Sequence, residues 1–376
     1  MKKYLTLLAS VAFGFVQLNG SAGGAKPADP VPDLAWHDVT QWGVEGRAWT
    51  DLKRQNWFDR LPAAAEGKVT ERVWELSHAS AGMLVRFKTD ATAVWVDFAL
   101  RKNDLGGANM NGTGASGFDL YARDEAGRWR FVNARWPKAQ TGRQELASKL
   151  AAKVREYALY LPLLNGVERL SVGVPPGSAF EGLAPRAAAP LVFYGTSITQ
   201  GMCASRPGMA HVAILGRRLG LPVVNLGFAG NGRMDEAIGT LLGEMDAAVY
   251  VIDCLPNMRP PEVRAKCVPF VKALRAARPK TPIILVDDTR YPDSWASAWR
   301  AKFYDERHDA LVECHEILRK EGLTGIYYLT GGNMTGEDGE GTVDGVHPND
   351  LGFVRQADVF EPLLRRALGL DKDGAR

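Results

Sequence analysis

One serine in this chain follows a pattern that could make it a nucleophile. Ser197 comes after four apolar residues, Leu191-Val192-Phe193-Tyr194, and the turn-forming pair Gly195-Thr196. A short apolar run bounded by turn formers is typical of a buried parallel strand, which places Ser197 just past the end of that strand and near the start of a helix. Backbone N–H groups at such a point could hold an oxyanion beside an attacking hydroxyl. The commoner role of a serine there is only to cap the helix, so the rest of the chain must decide.

A histidine near the C-terminus has a carboxylate three residues before it. Pro348 suits the first position of a helix, which would put His347 at the cap. Asp344 could then accept the Nδ1 proton and hold the ring, with Nε2 acting as general base. Two alternatives are a helix-start pair without chemistry and half of a metal site. The acidic loop around Asp344 offers only this one histidine, which argues against a metal.

Two further stretches could bind a developing oxyanion. The glycine-rich segment 225–232 would let the backbone approach a ligand closely and aim N–H groups at it, or it could be a simple tight turn. Asn257 follows another apolar run and could donate its side-chain N–H₂ without adding charge, although turn and cap asparagines are more common.

The second half of the chain contains the elements that would position these residues. Apolar strands are predicted at residues 191–194, 222–226, 248–252, 282–286 and 325–329. Helical segments alternate with them at residues 209–219, 234–245, 261–277, 301–321 and 349–368. Such alternation predicts a parallel sheet with helices on both faces. All four stretches would then lie at the sheet edge where ligands bind in α/β folds.

The first half gives a β signal. Short runs with partial alternation lie at residues 68–76, 83–88, 93–100, 117–123, 129–133 and 168–174, and one helix is possible within 144–158. This spacing predicts a β-sandwich or jelly roll. We therefore expect a β domain over 35–176, a proline- and alanine-rich linker over 177–190 and an α/β domain over 191–370.

Composition and charge narrow the class of protein. The chain has 376 residues, 46% of them hydrophobic and 24% charged, which suits two globular domains. A net charge of +3 favours neither nucleic-acid binding nor attraction to anionic membranes. Lys2 and Lys3 precede a short apolar run and then small residues, the order found in a signal peptide. We expect cleavage after about residue 25, a secreted or periplasmic location and no stable membrane insertion.

The four cysteines, Cys203, Cys254, Cys267 and Cys314, lie in the second half and match no zinc-site spacing. Because an exported protein can form disulfides, Cys203 with Cys254 is the preferred pair if one exists, and buried free thiols are the alternative.

From about Leu191 to Leu368 the sequence resembles the SGNH (GDSL-like) hydrolases. The similar blocks are Gly195-Thr196-Ser197-Ile198-Thr199, with threonine where the eponymous motif has aspartate; Asn225 to Gly230, with Gly227 as the alternative donor; Asn257, without the usual G-x-N-D frame; and Asp344-Gly345-Val346-His347-Pro348. The resemblance implies a three-layer, flavodoxin-like α/β fold. It also implies a triad of Ser197, His347 and Asp344, with an oxyanion hole formed by Ser197, Gly230 and Asn257.

The first domain carries a resemblance of its own. Gly117-Phe118-Asp119-Leu120-Tyr121 is similar to the G-x-D-L-Y motif of a β-rich domain that precedes some SGNH esterases, and Cys203 to Gly208 is similar to the same subgroup. Such enzymes are exported bacterial proteins, and many serve carbohydrate deacylation. The resemblance implies a serine esterase acting on short acyl esters, chiefly acetyl, of an oligo- or polysaccharide, with no metal or organic cofactor.

Three side chains are candidates for substrate binding. Arg206 lies in the motif shared with the subgroup, and Tyr291 and Trp295 belong to an aromatic stretch that could form a sugar-stacking wall or belong to the core. Two alternative functions remain. One is a carbohydrate-binding or surface module with a weakly active hydrolase half. The other is an esterase or thioesterase for lipid-like acyl substrates.

Overall fold

The structure, a computed structural model, describes residues 32–107 and 109–371. The predicted signal peptide lies outside this range. Within it, no helix combines the length and the apolar character needed to cross a membrane.

The N-terminal part is a sandwich of two antiparallel sheets. Its strands are β1 (Ala35–Asp38), β2 (Leu84–Thr89), β3 (Val94–Leu100), β4 (Phe118–Arg123), β5 (Trp129–Arg135), β6 (Thr141–Ala147), β7 (Arg155–Tyr160), β8 (Val167–Val174) and β9 (Phe180–Leu183). The strand orders are β1-β8-β3-β6 and β5-β4-β7-β2-β9. Buried side chains of both sheets, among them Phe87, Val96 and Leu159, form one apolar cluster. The predicted sandwich is confirmed.

The C-terminal part is a five-stranded parallel sheet. Its strands are β10 (Leu191–Gly195), β11 (Val223–Gly227), β12 (Val249–Asp253), β13 (Ile283–Val286) and β14 (Ile326–Leu329), in the order β11-β10-β12-β13-β14. This is the flavodoxin-like order, in which the chain winds first to one side of the first strand and then to the other. The strand order reverses beside β10, so the residues that follow β10 lie at the ligand-binding point of the sheet.

Helices cover both faces of this sheet. The chain contains α1 (Glu71–Ser77), α2 (Gly112–Ser116), α3 (Ser197–Gln200), α4 (His211–Leu219), α5 (Glu236–Gly243), α6 (Pro260–Ala277), α7 (Ala298–Lys320) and α8 (Asp350–Ala367). Short 3₁₀ turns occur at Val39–Gln41, Ala63–Ala65, Pro207–Met209 and Leu255–Asn257. Helices α5, α6 and α7 pack on the face that contains Tyr194, and α4 and α8 pack on the face that contains Phe193. Both faces of β10 are therefore buried, as its continuous apolar run predicts.

Three local predictions were wrong. Residues 68–76 are not a strand, because α1 begins within them and the Thr70 hydroxyl caps it by accepting from the Val73 N–H (3.3 Å). Residues 144–158 hold no helix, because β6 and β7 pair there with β3, β2 and β4. The predicted linker contains β9, which pairs with β2, so the sandwich extends past residue 176. In the last two cases long-range strand pairing outweighs local propensity.

All four cysteines are buried free thiols. The Cys203 Sγ donates to the Asn109 carbonyl (3.1 Å), whereas the Cys254 Sγ lies 3.8 Å from the Tyr194 carbonyl oxygen. The two sulfurs therefore have separate partners, and the preferred disulfide is not formed.

Candidate active site

A serine, a histidine and an aspartate form a continuous hydrogen-bonded chain at the sheet edge. The Ser197 Oγ lies 2.9 Å from the His347 Nε2, although the two residues are 150 positions apart. The His347 Nδ1 lies 2.8 Å from the Asp344 Oδ2. This arrangement can transfer the hydroxyl proton to the imidazole and stabilise the charge that the ring gains.

The turn after β10 fixes Ser197 in place. A Cβ on Gly195 would lie 2.1 Å from the Thr199 Oγ1, so glycine is required for this close approach. Thr196 caps α3: its side-chain Oγ1 accepts from the Ile198 N–H, and its own N–H donates to the Thr199 Oγ1. Ser197 is the first residue of α3, so its N–H has no acceptor one turn earlier in the helix and can face a ligand.

The loop before α8 holds the imidazole. The Val343 N–H donates to the His347 carbonyl (2.9 Å), and an isolated β-bridge joins Thr342 to Pro348. The helix begins later than predicted, because Asn349 is its cap and accepts from the Gly352 N–H (3.0 Å). His347 therefore lies in the loop rather than at the cap.

Asp344 is held as a carboxylate. Partial burial raises its pKa, but hydrogen bonds from the His347 backbone N–H (2.8 Å) and ring outweigh that effect and hold the pKa at about 2. The group is therefore ionised at any pH at which the enzyme would work, as an orienting carboxylate must be.

The segment after β11 forms a tight turn beside Ser197. The Phe228 N–H donates to the Gly195 carbonyl (2.9 Å), and the Asn231 and Gly232 N–H groups close the turn on the Phe228 carbonyl (2.8 and 3.0 Å). Gly230 lies in the left-handed region at φ +72°. The alternative donor, Gly227, uses its N–H on the Asn225 side chain (2.9 Å). The structure therefore favours Gly230 as the donor of this segment.

Asn257 connects this turn to the segment after β12. In the amide orientation that suits its neighbours, its Oδ1 also accepts from the Asn231 and Gly232 N–H groups (3.1 and 3.2 Å), which it shares with the Phe228 carbonyl. Its N–H₂ group is then left to donate elsewhere, which is what an oxyanion hole needs.

Replacing Asn257 with alanine is expected to lower kcat by about 10²–10³-fold, because a single preorganised donor in such a hole typically contributes that much. Asn257→Asp is the sharper variant, since it keeps an acceptor for Asn231 and Gly232 while removing the donor. Esterase assays on both variants should show the loss in kcat rather than in KM. Asn333→Ala removes an exposed amide that bonds Glu337 (2.6 Å) and serves as the control. Full activity in Asn257→Asp would contradict the assignment.

The sandwich contributes a residue to this site that the sequence did not indicate. The Asn109 Nδ2 donates to the Asp344 Oδ2 (2.9 Å), and the Asn109 carbonyl accepts from the Cys203 thiol. Burial and the nearby Asp344 carboxylate raise the pKa of Cys203 to about 11, so the thiol stays protonated at neutral pH. An asparagine in a loop 235 positions from its partner carries no local signal.

Two buried arginines bond the segments that lead to Gly230 and Asn257, and sequence reasoning missed both. Arg60, from the segment between β1 and β2, donates to the Asn225 and Gly227 carbonyls at the open edge of β11 (3.1 and 2.7 Å). Burial lowers its pKa to about 9, which still leaves it charged at neutral pH. Arg307 of α7 donates to the Leu255 carbonyl (3.3 Å) and that of Pro256 (3.2 Å), just before Asn257. Each guanidinium thus bonds the backbone of one of these two segments.

The three substrate-binding candidates have different surroundings. Arg206 donates to the Asp119 carboxylate (2.8 Å) and the Tyr121 hydroxyl (2.6 Å), so it joins the α/β part to the G-x-D-L-Y strand β4. The Tyr291 hydroxyl accepts from Arg307 (2.9 Å), which gives it a packing role. Trp295 is 89% exposed and does not belong to the core. Of the three, Trp295 alone has its side chain free for a ligand.

Each of the two parts of the chain matches the model of a known family. Residues 188–365 match the model of the GDSL-like Lipase/Acylhydrolase family, and residues 34–180 match the GxDLY model, described as the N-terminus of Esterase_SGNH_hydro-type proteins. A comparison with curated protein sequences gave no match.

Solved structures with the same two-part architecture are also similar. A crystal structure described as a GDSL-like lipase from Bacteroides ovatus is 30% identical, with a TM-score of 0.85 over 90% of this chain and 98% of that one. The salicylyl-acyltransferase SsfX3 from a tetracycline biosynthetic pathway is 20% identical, with a TM-score of 0.69 over 92% and 97%. An acetyl xylan esterase from the rumen bacterium Butyrivibrio proteoclasticus is 12% identical, with a TM-score of 0.58 over 90% and 100%. The last two likenesses concern the fold alone.

Proposed function

The chain belongs to the GDSL-like, or SGNH, hydrolase family with an N-terminal GxDLY domain and is a carboxylic ester hydrolase, and we propose that it is a serine esterase that removes short acyl groups, chiefly acetyl, from carbohydrate. The observation that carries the proposal is the hydrogen-bonded chain from the Ser197 Oγ through the His347 ring to Asp344, at 2.9 and 2.8 Å.

The first half of the reaction makes an acyl-enzyme. The Ser197 Oγ attacks the ester carbonyl carbon while the His347 Nε2 takes its proton, and the N–H groups of Ser197, Gly230 and Asn257 stabilise the oxyanion. The intermediate collapses when the bond to the sugar oxygen breaks, and His347 protonates that leaving oxygen. The products are the free sugar hydroxyl and Ser197 esterified through Oγ.

The second half releases the acid. Water attacks the acyl carbonyl while His347 takes one of its protons, and the same donors hold the second oxyanion. Collapse returns the proton to the Ser197 Oγ and frees acetic acid, which then loses its own proton to water as acetate. Asp344 remains a carboxylate throughout, because it accepts two hydrogen bonds from His347 in the resting site.

Two observations support a carbohydrate substrate. The exposed Trp295 lies in the loop between β13 and α7. This loop and the start of α7 approach the loop of the triad acid, because a Cβ placed on Gly339 would lie 3.6 Å from Pro292 and one placed on Gly345 would lie 3.6 Å from Arg300. Aromatic faces beside a site are a common surface for stacking sugars. The acetyl xylan esterase with the same architecture makes acetylated polysaccharide a reasonable first substrate to test. Because the sequence predicts a signal peptide, we also propose that the enzyme acts outside the cytoplasm.

Acyl length and acetate release test the proposal. Acetyl p-nitrophenyl ester should be turned over at least tenfold faster than the octanoyl ester, since a tight acyl pocket rejects the longer chain. A panel of acetylated polysaccharides should release acetate, with the Ser197→Ala protein as the blank. Faster octanoyl turnover would point to a lipid-like substrate, and the absence of acetate release from every glycan would contradict the carbohydrate assignment.

A further inference from the structure

A thiol lies against the catalytic pair without a role in the reaction. The Cys203 Sγ, a carboxylate oxygen of Asp344 and a ring nitrogen of His347 lie within 4.8 Å of one another. A tetrahedral zinc site places its ligand atoms about 3.3–3.7 Å apart, so small rotations would bring these three to one ion. Cysteine, histidine and aspartate are also the ligand types that Zn²⁺ takes.

We propose that Cys203, Asp344 and His347 bind a thiophilic divalent cation of the Zn²⁺ type, and that its binding switches the esterase off. The thiol loses its proton to solvent as the sulfur–metal bond forms, and the imidazole gives its lone pair to the metal. A fourth position is left for water.

The mechanism of inhibition follows from the ligands. A metal on Nε2 takes the lone pair that would accept the Ser197 proton. A metal on Nδ1 takes that nitrogen's lone pair, so the ring proton moves to Nε2, which can then no longer accept from Ser197. In either case the hydroxyl loses its proton acceptor. Inhibition thus rests on the proposed function, whereas metal binding does not.

The surroundings leave two of the three groups partly accessible and hold the third close to them. The side chains of His347 and Asp344 are 19% and 27% exposed, so an ion can enter from their side although Cys203 is buried. Asn109 bonds both the Cys203 thiol and the Asp344 carboxylate, which holds sulfur and oxygen through one residue. A soft sulfur ligand favours Zn²⁺ or Cd²⁺ over Mg²⁺.

Two assays test the proposal on the full chain. Buffered Zn²⁺ should inhibit p-nitrophenyl acetate hydrolysis, EDTA should restore activity, and equal Mg²⁺ should have no effect. Cys203→Ser keeps a hydrogen-bond donor for the Asn109 carbonyl but supplies a poor ligand, so at least tenfold more Zn²⁺ should be needed. The control is Cys314→Ser, which should stay as sensitive to Zn²⁺ as the natural protein. The Cys314 sulfur lies 3.6 Å from the carbonyl oxygen of Val263 in α6.

Binding is read separately from catalysis. Co²⁺ added to the Ser197→Ala protein should give a sulfur-to-cobalt charge-transfer band, and the band should be missing in Cys203→Ser. A band without any esterase activity in the natural protein would retain the metal site and reject the proposed function. Equal Zn²⁺ inhibition of Cys203→Ser and the natural protein, or no band, would overturn the metal site.

Discussion

Replacing Ser197 with alanine is expected to lower kcat for p-nitrophenyl acetate by about 10⁴–10⁶-fold, with KM changed by no more than a few-fold. The variant lacks the atom that forms the bond to the acyl group, while the donors of the oxyanion hole remain. The hydrogen bond that is lost, from the Ser197 Oγ to the His347 ring, lies at the edge of the sheet and not in its core. Its loss should therefore leave the fold and the thermal midpoint unchanged.

Three measurements make that result interpretable. Initial rates give the loss in kcat, and mass spectrometry of the natural enzyme quenched during turnover should find an added acetyl group on the peptide that contains Ser197. Ser148→Ala, which removes an exposed hydroxyl bonded to Glu145 (2.7 Å) in the sandwich, should behave as the natural protein does. A Ser197→Ala protein with more than a tenth of the natural activity would rule out the acyl-enzyme described above.

Asp344→Asn is expected to cost about 10³–10⁴-fold in kcat. An asparagine can turn its N–H₂ toward the His347 Nδ1, which places the ring proton on Nε2 and leaves the base unable to accept from Ser197. Steady-state kinetics should assign the loss to kcat. The matched control is Asp338→Asn, because Asp338 lies in the same acidic loop but pairs with Arg355 (2.7 Å) and not with the imidazole. Similar losses in the two variants would show that the loop, and not the Asp344 charge, matters.

The pH dependence adds a second readout for Asp344. Its pKa is lowered to about 2, so its ionised form stabilises the fold fully above the unfolded value of about 3.9, and this stabilisation is lost as the pH falls from there through about 2. An acidic limb of kcat/KM between about pH 4 and 7 must therefore come from another group. A limb that moved with Asp344 ionisation in that range would contradict this picture.

The position of the site could be predicted because its chemistry follows strand ends. Ser197, Gly230 and Asn257 come after β10, β11 and β12, and strands in a parallel sheet end at one edge. Apolar runs and turn residues are local signals, so a single sequence is enough to detect them. The Asp344–His347 spacing is also local, and the sheet order beside β10 brings it to the same edge.

The supporting residues were hidden because nothing local marks them. In the sequence Arg60 looks like any other basic residue. Its role as a hydrogen-bond donor to two β11 carbonyls exists only in the folded protein, where β11 lies beside it. Asn109 likewise gains its partner across 235 positions. Strand β9 and helix α1 show the same limit on a smaller scale. The sequence predicted a linker at 177–190 and a strand at 68–76, but pairing with β2 and the Thr70 cap produce β9 and α1 there.

The reach of Arg60 and Asn109 into the α/β part has a practical consequence for anyone trimming or recombining this enzyme. A shortened gene starting near residue 190 would expose the carbonyls of Asn225 and Gly227 at a bare sheet margin. It would also remove Asn109, whose side-chain amide donates a hydrogen bond to the Asp344 carboxylate. Chimaeras should therefore take both parts from one parent protein, because side chains of the N-terminal part bond the segments that position the site.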